Sequence, residues 1–369
     1  MYVWERADWP RFRWSDAALL PVVGEARRRQ GRLLGVLDGV GFALRQQAAV
    51  GSVVEDVVQS SEIEGEHLDR AAVRSSVVRR LGVDDAGLGP VDRRTDAVVA
   101  MALDAVAQLD APLTVARLTG WQAFPTGYTG PVRVRTGGWR EDTDGPMQVV
   151  SGPVGRPRVH YQAPPADRVD AEMARFLRWF ATDDGTEGLL RAGLAHLWFV
   201  TIHPFEDGNG RLARAISDRA LAQDERSEQR FYSLSARIRQ ERAEYYRVLE
   251  YTQRGELDVT DWLRWFVGCV DRAVTDATAT VGSVIRRTAF WGRFGASLSE
   301  RQQKVLGRVL DDGFDGKLTA KRYAQLGGCS IATAQRDLNE LVDRGVVARE
   351  PGGSKNTRYT VSAEQPSSR

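Results

Sequence analysis

Twelve consecutive residues, from His203 to Arg214, combine side chains that suit phosphate chemistry; they read His-Pro-Phe-Glu-Asp-Gly-Asn-Gly-Arg-Leu-Ala-Arg. The segment lies between two apolar stretches with helical spacing, so it predicts a loop that leads into a helix. Glycines on both sides of Asn209 let backbone N–H groups converge on one point. At a helix N-terminus such a loop is suited to binding an anion.

The charged residues of this segment extend the same chemistry. Arg211 and Arg214 are three residues apart and share a helix face, so both can reach one polyphosphate. Asp207 supplies a hard oxygen ligand of the kind that Mg²⁺ takes beside phosphates. His203 titrates near neutral pH, which suits a general base. Together these residues predict phosphoryl or nucleotidyl transfer.

Each feature also has an ordinary structural explanation. A single histidine is usually structural, a Gly-Asn-Gly sequence usually forms a turn, and two arginines three residues apart usually line a solvated helix face. Their occurrence together within twelve residues favours a phosphate site.

A second segment, Ser60-Ser-Glu-Ile-Glu-Gly65, lies on a helix predicted over Val50–Leu68 and interrupted near Gly65. Ser60 and Glu64 are four residues apart and therefore share a helix face. Taken alone, the segment is typical of an acidic, solvated helix surface.

The elements that must position these residues are mainly helices. Between Gly120 and Pro165, however, prolines, glycines and β-branched runs such as Val132–Val134 predict loops and a β-hairpin. Ser15 or Asp16 begins the first helix, which Pro21 would interrupt. Further helices are predicted over Asp69–Leu81, Thr95–Leu109, a start capped by Thr114, Arg168–Phe180, Leu189–Thr201, Arg211–Leu221, Ala236–Tyr251 and Val259–Val274.

The two ends of the chain have their own patterns. Aromatic residues crowd the beginning, where Pro10 argues against a helix; they predict an arm that packs on the body or, alternatively, a partner or dimer surface. The aromatic residues of the arm are Tyr2, Trp4, Trp9, Phe12 and Trp14.

From Ser299 onward, three helices and two short strands with Gly352–Gly353 at the tip predict a winged helix-turn-helix.

Residues 299–361 hold eleven Lys or Arg and eight Asp or Glu, a mild basic bias. DNA binding by this region and protein contacts or dimerisation are therefore both open alternatives. The predicted recognition helix starts near Ser330. The polar side chains that it and the wing offer are Thr333, Gln335, Arg336, Lys355, Asn356 and Arg358.

Composition excludes several classes of protein. The chain has 369 residues with 51 Lys or Arg and 49 Asp or Glu, so the whole is not a polybasic nucleic-acid coat. Its two cysteines, Cys269 and Cys329, exclude a disulfide scaffold and a cysteine-based zinc finger. The sequence contains no apolar run long enough for a membrane helix and does not begin like a signal peptide. We therefore expect a soluble protein of a reducing cytoplasm.

The segment His203–Arg214 matches, at every specified position, the Fic family signature H-P-F-x-D/E-G-N-G-R-x-x-R. This resemblance implies a mainly α fold, a Fic-type helical core with a β-hairpin flap. In most family members it implies transfer of AMP from ATP to a hydroxyl of a target protein. His203 would deprotonate the target Ser, Thr or Tyr hydroxyl, Asp207 would hold Mg²⁺ and Phe205 would fix the loop. Residues that would contact the phosphates are Gly208, Asn209, Gly210, Arg211 and Arg214.

The upstream segment resembles the inhibitory pattern of the family: Ser or Thr, three residues of any type, Glu, then Gly or Asn. The pattern implies that Ser60, Glu64 and Gly65 form an inhibitory segment in which Glu64 pairs with Arg214 and blocks the γ-phosphate. Because it precedes the core in the same chain, the protein resembles the N-terminally inhibited class. An AMP-removing activity, in which Glu64 orients water, or a different donor remains an alternative within this enzyme class.

Other positions are implied by the same resemblance. Tyr245 and Gln253 would contact the adenine side, with core packing as the alternative for the tyrosine, and Gly138–Trp139–Arg140 resembles a turn before the flap. The flap would receive an extended target segment by strand addition. Its residues are Met147, Gln148, Val149, Val150, Ser151 and Gly152.

The resemblance also suggests the domain organisation. An N-terminal region at 1–82 resembles an uncharacterised domain that precedes bacterial Fic cores, and we place the Fic core at 83–290, the winged helix at 291–361 and a loose tail at 362–369. The expected partners are a target protein and a second copy in a homodimer. A DNA-binding regulator that uses the core as a nucleotide sensor is the alternative from another class.

Overall fold

A computed structural model of the chain describes residues 1–83, 88–123, 135–143, 145–152, 156–310, 317–350 and 357–362. Several predicted features lie outside these residues. They are the run Val132–Val134, the wing tip Gly352–Gly353, the wing residues Lys355 and Asn356, and the tail from 363 to 369.

The described chain is mainly helical, as predicted, and divides into two compact units, Met1–Thr278 and Ala279–Arg369. The boundary between them falls within α11, while the domain divisions at residues 82, 290 and 361 stay predictions. The helices up to that boundary are α1 (Asp16–Asp38), α2 (Phe42–Ile63), α3 (Arg70–Leu81), α4 (Arg93–Val106), α5 (Val115–Gln122), α6 (Val169–Ala181), α7 (Gly188–Ile202), α8 (Asn209–Glu225), α9 (Leu234–Gln240), α10 (Arg242–Gln253) and α11 (Thr260–Phe294).

Helix α7 is the centre of the first unit. Its sequence is apolar on nearly every side, and the residues from Leu189 to Ile202 are buried apart from Arg191. Such a helix needs neighbours all around it. It packs against α6 and α8, and the indole of Trp262 on α11 donates to the Gly193 carbonyl at 2.8 Å. The burial fixes the point at which α7 ends, immediately before His203.

A small antiparallel sheet lies between α5 and α6 in the chain. It consists of β1 (Gln148–Ser151) and β2 (Arg158–Gln162), with Gln148 opposite Gln162 and an irregularity between Val149 and Val150. The Tyr161 hydroxyl donates to the Thr201 carbonyl at 2.6 Å. This bond ties the hairpin to the last turn of α7.

The aromatic N-terminal residues pack on the first unit, which is the first of the two arrangements considered. Trp4 and Trp9 are buried. The indole of Trp4 donates to the Gln162 carbonyl at 2.8 Å, and that of Trp9 donates to the Glu172 carboxylate at 2.9 Å. The arm therefore adds to the same body that carries the hairpin.

Three expectations about helices were wrong. Helix α1 runs through Pro21, because proline near a helix start costs only one hydrogen bond and this turn is exposed. The helix expected over Ala236–Tyr251 is divided at Glu241, whose carboxylate binds Arg272. Helix α11 continues twenty residues past Val274, and the Thr278 hydroxyl bonds the Val274 carbonyl one turn back without ending the helix.

The described part of the second unit contains, after the end of α11, three α-helices followed by two antiparallel strands, in the element order predicted. Its buried core includes Leu306, Leu338 and Tyr359, and the helix that starts after Ser330 has that residue as its cap. Among the described helices, none is both long and apolar enough to cross a membrane. The elements are α12 (Glu300–Leu310), α13 (Ala320–Gly327), α14 (Ile331–Asp343), β3 (Val347–Arg349) and β4 (Tyr359–Val361).

Candidate functional site

His203 ends helix α7 in an unusual backbone conformation. Its φ of 52° lies in the left-handed region, and its N–H closes the helix on the Phe199 carbonyl at 3.0 Å. A non-glycine residue adopts this region only when its surroundings enforce it. Here the buried helix holds one side of the residue. Arg140 holds the other, because its Nε donates to the His203 carbonyl at 2.8 Å.

The imidazole of His203 has a defined tautomer. Nδ1 lies 3.1 Å from the Val200 carbonyl, which can only accept, so Nδ1 carries the proton and donates it. The second nitrogen, Nε2, therefore keeps its lone pair in the neutral ring. Burial disfavours the charged form and lowers the pKa of His203 to about 4. A proton acceptor is thus available throughout the neutral pH range.

The loop after His203 is held shut by Asn209. Its side-chain oxygen accepts from the Phe205 N–H at 3.0 Å, and its amide donates to the Phe205 carbonyl at 2.7 Å. Phe205 itself is fully buried, and its ring centre lies 4.9 Å from that of Trp139. The side chain of Asn209 therefore shapes the loop, while its backbone remains at the start of α8.

Residues Gly208, Asn209 and Gly210, called the cradle below, begin helix α8. Gly208 has a φ of 86°, which favours glycine. As the N-cap it offers no side-chain acceptor, so the first N–H groups of α8 depend on another partner. A methyl group added at Gly210 would overlap Glu64 Oε1. The Glu64 carboxylate thus lies directly against the cradle.

Arg214 joins α8 to the end of α2. It is 1% exposed; its Nε donates to Ser60 Oγ at 2.9 Å and its NH2 donates to the Ser60 carbonyl at 3.0 Å and to Glu64 Oε1 at 2.9 Å. Burial opposes the charge, yet the Glu64 carboxylate leaves the pKa of Arg214 raised. Its NH1 is buried and has no hydrogen-bond partner in the part of the chain that the structure describes. The contact implied between Glu64 and Arg214 is therefore present, together with one to Ser60.

Arg211 has a partner that the sequence reasoning missed. Its NH1 donates to Glu66 Oε2 at 2.5 Å, and its NH2 lies 3.6 Å from Asp207 Oδ2. The same oxygen of Glu66 lies 2.5 Å from Arg94 NH2. The only available signal was that Glu66 follows the inhibitory glutamate by two residues, and spacing alone does not say which arginine it meets.

Arg140 is the other residue whose importance was underestimated, since only the turn around it was noted. Its side chain is 0% exposed, and besides His203 it donates to the Pro164 carbonyl and to Asp142. Its backbone N–H donates to the Pro204 carbonyl at 2.9 Å. It therefore fixes the backbone on both sides of the bond between His203 and Pro204.

Tyr245 and Gln253 lie beneath α7. The Tyr245 hydroxyl is 3.0 Å from His196 Nε2, and His196 Nδ1 is 3.0 Å from Ser217 Oγ. Gln253 is 3% exposed and donates to Thr201 Oγ1 at 3.3 Å. Both side chains are buried and bonded within the protein, so their predicted contact with a nucleotide stays a prediction.

The flap residues of β1 are largely exposed, Val150 by 51%. The Ser151 hydroxyl lies 2.6 Å from His160 Nε2, and His160 Nδ1 lies 2.7 Å from Glu250 Oε2. These bonds tie the two strands to α10. The hairpin is thereby held to α10, in addition to its bond to the last turn of α7 through Tyr161.

The residues present fit a magnesium ion only in company with phosphate. Among the described residues, no three His, Cys, Asp or Glu side chains cluster closely enough to hold a metal ion. Asp207, whose side chain is 37% exposed, offers one carboxylate beside the cradle. Mg²⁺ is commonly held by one or two carboxylates, water and substrate phosphates, so this single donor is sufficient for that ion with a bound polyphosphate.

Comparisons with known proteins agree with this geometry. The protein adenylyltransferase Fic of Drosophila sechellia is 30% identical over 104 residues, which are 28% of this chain and 20% of that protein. The protein of the same name from Nematostella vectensis is 31% identical over 119 residues, 31% of this chain and 26% of that protein. The chain therefore matches about a quarter or less of the length of these curated relatives.

Solved structures show the same fold. A Fic family protein from Desulfovibrio desulfuricans G20 superposes with a TM-score of 0.53 at 22% identity, covering 95% of this chain and 97% of that one. A Fic domain containing signalling protein from Bacteroides thetaiotaomicron VPI-5482 superposes with a TM-score of 0.51 at 16% identity, covering 70% and 97%.

Family models match two parts of the chain. Residues 2–83 match a domain of unknown function (DUF4172), and residues 113–221 match the Fic/DOC family. The second match includes the whole loop from His203, its left-handed turn, the cradle and both arginines. On this sequence match and the shared fold, the chain contains a Fic/DOC family domain.

Proposed function

We propose that this protein transfers AMP from ATP to a hydroxyl group of a target protein and of itself, and that Glu64 restrains the reaction. The observation that carries the proposal is that one segment combines an unprotonated His203 Nε2, a helix N-terminus and two buried arginines. Relatives called protein adenylyltransferase support the same reaction.

His203 would act as the general base. The target hydroxyl oxygen attacks the α-phosphorus of ATP, its proton passes to Nε2, and the bond to pyrophosphate breaks as the new phosphorus–oxygen bond forms. Because burial lowers the pKa of His203 to about 4, the ring is neutral and ready to accept at pH 7. The hydrogen bond from Nδ1 to Val200 keeps Nε2 as the accepting atom.

The cradle and the arginines would bind the triphosphate. Phosphate oxygens accept from the first N–H groups of α8, where the helix dipole also favours negative charge. Arg211 and Arg214 neutralise the charge that develops on the leaving pyrophosphate. Mg²⁺, held by Asp207 and the phosphates, would add further charge neutralisation when bound.

Glu64 would inhibit by occupying the place of a phosphate. Its carboxylate is an anion beside Gly210 and bonded to Arg214, which are the groups assigned here to the phosphates. A γ-phosphate in this position would meet a like charge at close range and lose its arginine. Removing the carboxylate therefore frees both the space and the cation.

The target would bind along β1. The strand is exposed and paired with β2 on one side within the described residues. An extended target segment can add to such an edge through its backbone, and this fixes the hydroxyl side chain by register. The Tyr161 hydroxyl on β2 donates to the carbonyl of Thr201, two residues before His203, and this attachment supports the choice of β1 as the docking strand.

The test is AMP transfer from ATP labelled at the α-phosphate, with Mg²⁺, by wild type, Glu64→Gly and Glu64→Gly/His203→Ala. We expect Glu64→Gly to label protein about 10- to 100-fold faster than wild type, since one charged hydrogen bond must otherwise be broken. The double variant should lose the label. Mass spectrometry of the labelled protein identifies the modified hydroxyl.

Two results would contradict parts of the proposal. Equal labelling by wild type and Glu64→Gly would reject inhibition by Glu64. Absence of α-label in Glu64→Gly, with transfer from another nucleotide or none, would reject ATP as the AMP donor. Glu62→Gln serves as a control on the same segment, because Glu62 meets Arg239 at 3.5 Å and not the arginines of the loop.

A further inference from the structure

Two glutamates on one short segment approach the two arginines of α8, and they do so differently. Glu64 meets Arg214 and lies against Gly210. Glu66 meets Arg211 and Arg94, both at 2.5 Å from the same carboxylate oxygen. The inhibitory pattern explains only the first of these contacts.

The charge balance around Glu66 differs from that around Glu64. One carboxylate oxygen of Glu66 is shared by two guanidinium groups, so Glu66 alone does not neutralise both Arg94 and Arg211; the Asp207 carboxylate also lies 3.6 Å from Arg211. The side chain of Glu66 is also more enclosed, 13% exposed against 30% for Glu64. A carboxylate that is shared and enclosed in this way fixes the positions of both guanidinium groups without neutralising both of their charges.

The backbone of Glu66 is anchored independently of its side chain. Its N–H donates to the Ser61 carbonyl at 3.0 Å, and Gly65 before it has a φ of 79°. Glu64 and Glu66 therefore lie on either side, in the chain, of the left-handed residue that follows helix α2. Glu64 can therefore leave the cradle by side-chain rotation while Glu66 keeps its place.

Arg211 is oriented by this arrangement. Its NH1 is held by Glu66, and its NH2 faces Asp207 at 3.6 Å. Asp207 is the carboxylate next to the cradle, so the guanidinium presents its second amino group toward the expected phosphates. An arginine fixed in this way loses less conformational freedom when a phosphate binds.

We infer that Glu66 is a positioning residue: its carboxylate contacts both Arg94 and Arg211 and holds Arg211 in place for the phosphates of the nucleotide. This role rests on the proposed function and deepens it. Glu66 supports nucleotide binding in the released state, whereas Glu64 opposes it in the resting state. Two carboxylates two residues apart thus have opposite effects on the same ligand.

The test introduces Glu66→Gln into Glu64→Gly and measures KM for ATP and kcat of labelling, with ATP affinity by calorimetry in the absence of target. We expect KM and the dissociation constant of ATP to rise about tenfold, as for loss of one charge-assisted hydrogen bond. The change in kcat should stay within about threefold. Glu62→Gln in the same background should change none of these values.

Other results would overturn the inference. Faster labelling by Glu66→Gln than by wild type would make Glu66 a second inhibitor, and an unchanged ATP affinity with only a lower melting temperature would make it a structural residue. If Glu64→Gly labels nothing, the proposed function fails separately. Calorimetry with ATP then still decides on Glu66, because it requires no transfer.

Discussion

Charged side chains are buried both around the loop from His203 to Arg214 and in the C-terminal unit, but they make different kinds of contact in the two regions. Around the loop, Arg214 and Arg211 are buried against carboxylates that come from the end of α2. In the C-terminal unit, the buried Asp337 accepts from the Tyr323 hydroxyl at 3.0 Å and from Arg301 Nε at 2.7 Å. That set joins the three helices of its own unit.

The two regions differ in whether the buried charged groups have all their hydrogen bonds within the protein. Among the described residues Arg214 NH1 has no hydrogen-bond partner, and in the proposed reaction Glu64 is exchanged for another anion at the helix N-terminus. The bonds of Asp337 close within the core of the unit. Two polar side chains that the sequence offers for DNA contact, if the unit binds DNA, have internal partners: Thr333 bonds Ser330 and Gln335 donates to Tyr359. We therefore expect substitutions in the first region to change activity and those in the second to change stability.

The largest expected effect is on catalysis. In the Glu64→Gly background, His203→Ala should lower the rate of AMP transfer about 10²- to 10⁴-fold, because the general base is lost. Arg336→Ala in the C-terminal unit should leave the rate within about twofold. A large loss with Arg336→Ala would show that the C-terminal unit takes part in the reaction. Rates are measured with α-labelled ATP.

Acid should weaken the first unit more than the second. Burial lowers the pKa of His196 to about 3 and that of His203 to about 4, from 6.5. Below pH 6.5 the unfolded chain therefore binds protons that the folded chain does not, so stability falls with acidification. At pH 5 each buried histidine should cost about 2 kcal/mol relative to neutral pH. The C-terminal unit has no histidine.

Urea unfolding at pH 7.5 and pH 5 checks this expectation. His203→Gln should remove about half of the pH-dependent loss, whereas His67→Gln should leave it unchanged because His67 is exposed. An equal loss in His203→Gln and in the parent protein would mean that His203 is not the buried neutral base inferred here.

The smallest expected effect concerns the C-terminal unit alone. Asp337→Asn replaces a buried carboxylate, which pairs with Arg301 and accepts from the Tyr323 hydroxyl, by a neutral amide with one acceptor oxygen, and should destabilise the unit by about 1–3 kcal/mol. Hydrogen exchange of α12 to α14 should accelerate, while AMP transfer in the Glu64→Gly background stays the same. Asp343→Asn, at an exposed position, is the control. A parallel loss of transfer would contradict the separation of roles.

Much of this arrangement was predictable because the information is local. The glycines of the cradle and the start of the following helix lie within His203–Arg214, and the residue types of this segment predicted a loop that leads into a helix. The mainly helical fold followed from apolar spacing, and Ser15 and Thr114 cap helices as expected. The hairpin followed from its prolines, glycines and β-branched runs.

What the sequence did not reveal depends on contacts between distant segments. The division at Glu241 is accompanied by its pairing with Arg272, thirty-one residues away. The hydrogen bond from Arg140 Nε to the His203 carbonyl joins residues that are sixty-three positions apart. No local sequence pattern predicts such a pairing, because an arginine that will bond a distant residue looks the same in the sequence as one that will lie on the surface.

The sequence by itself determined which residues are candidates for the proposed chemistry, since an imidazole, a cradle of glycines and two arginines within one segment must lie close together. Only the tertiary structure decided their state: which nitrogen of His203 is free, that Asn209 fixes the loop, and that Glu64 and Glu66 divide the two arginines between them. Protonation and charge pairing depend on burial and on distances through space, and these exist only once the helices have packed.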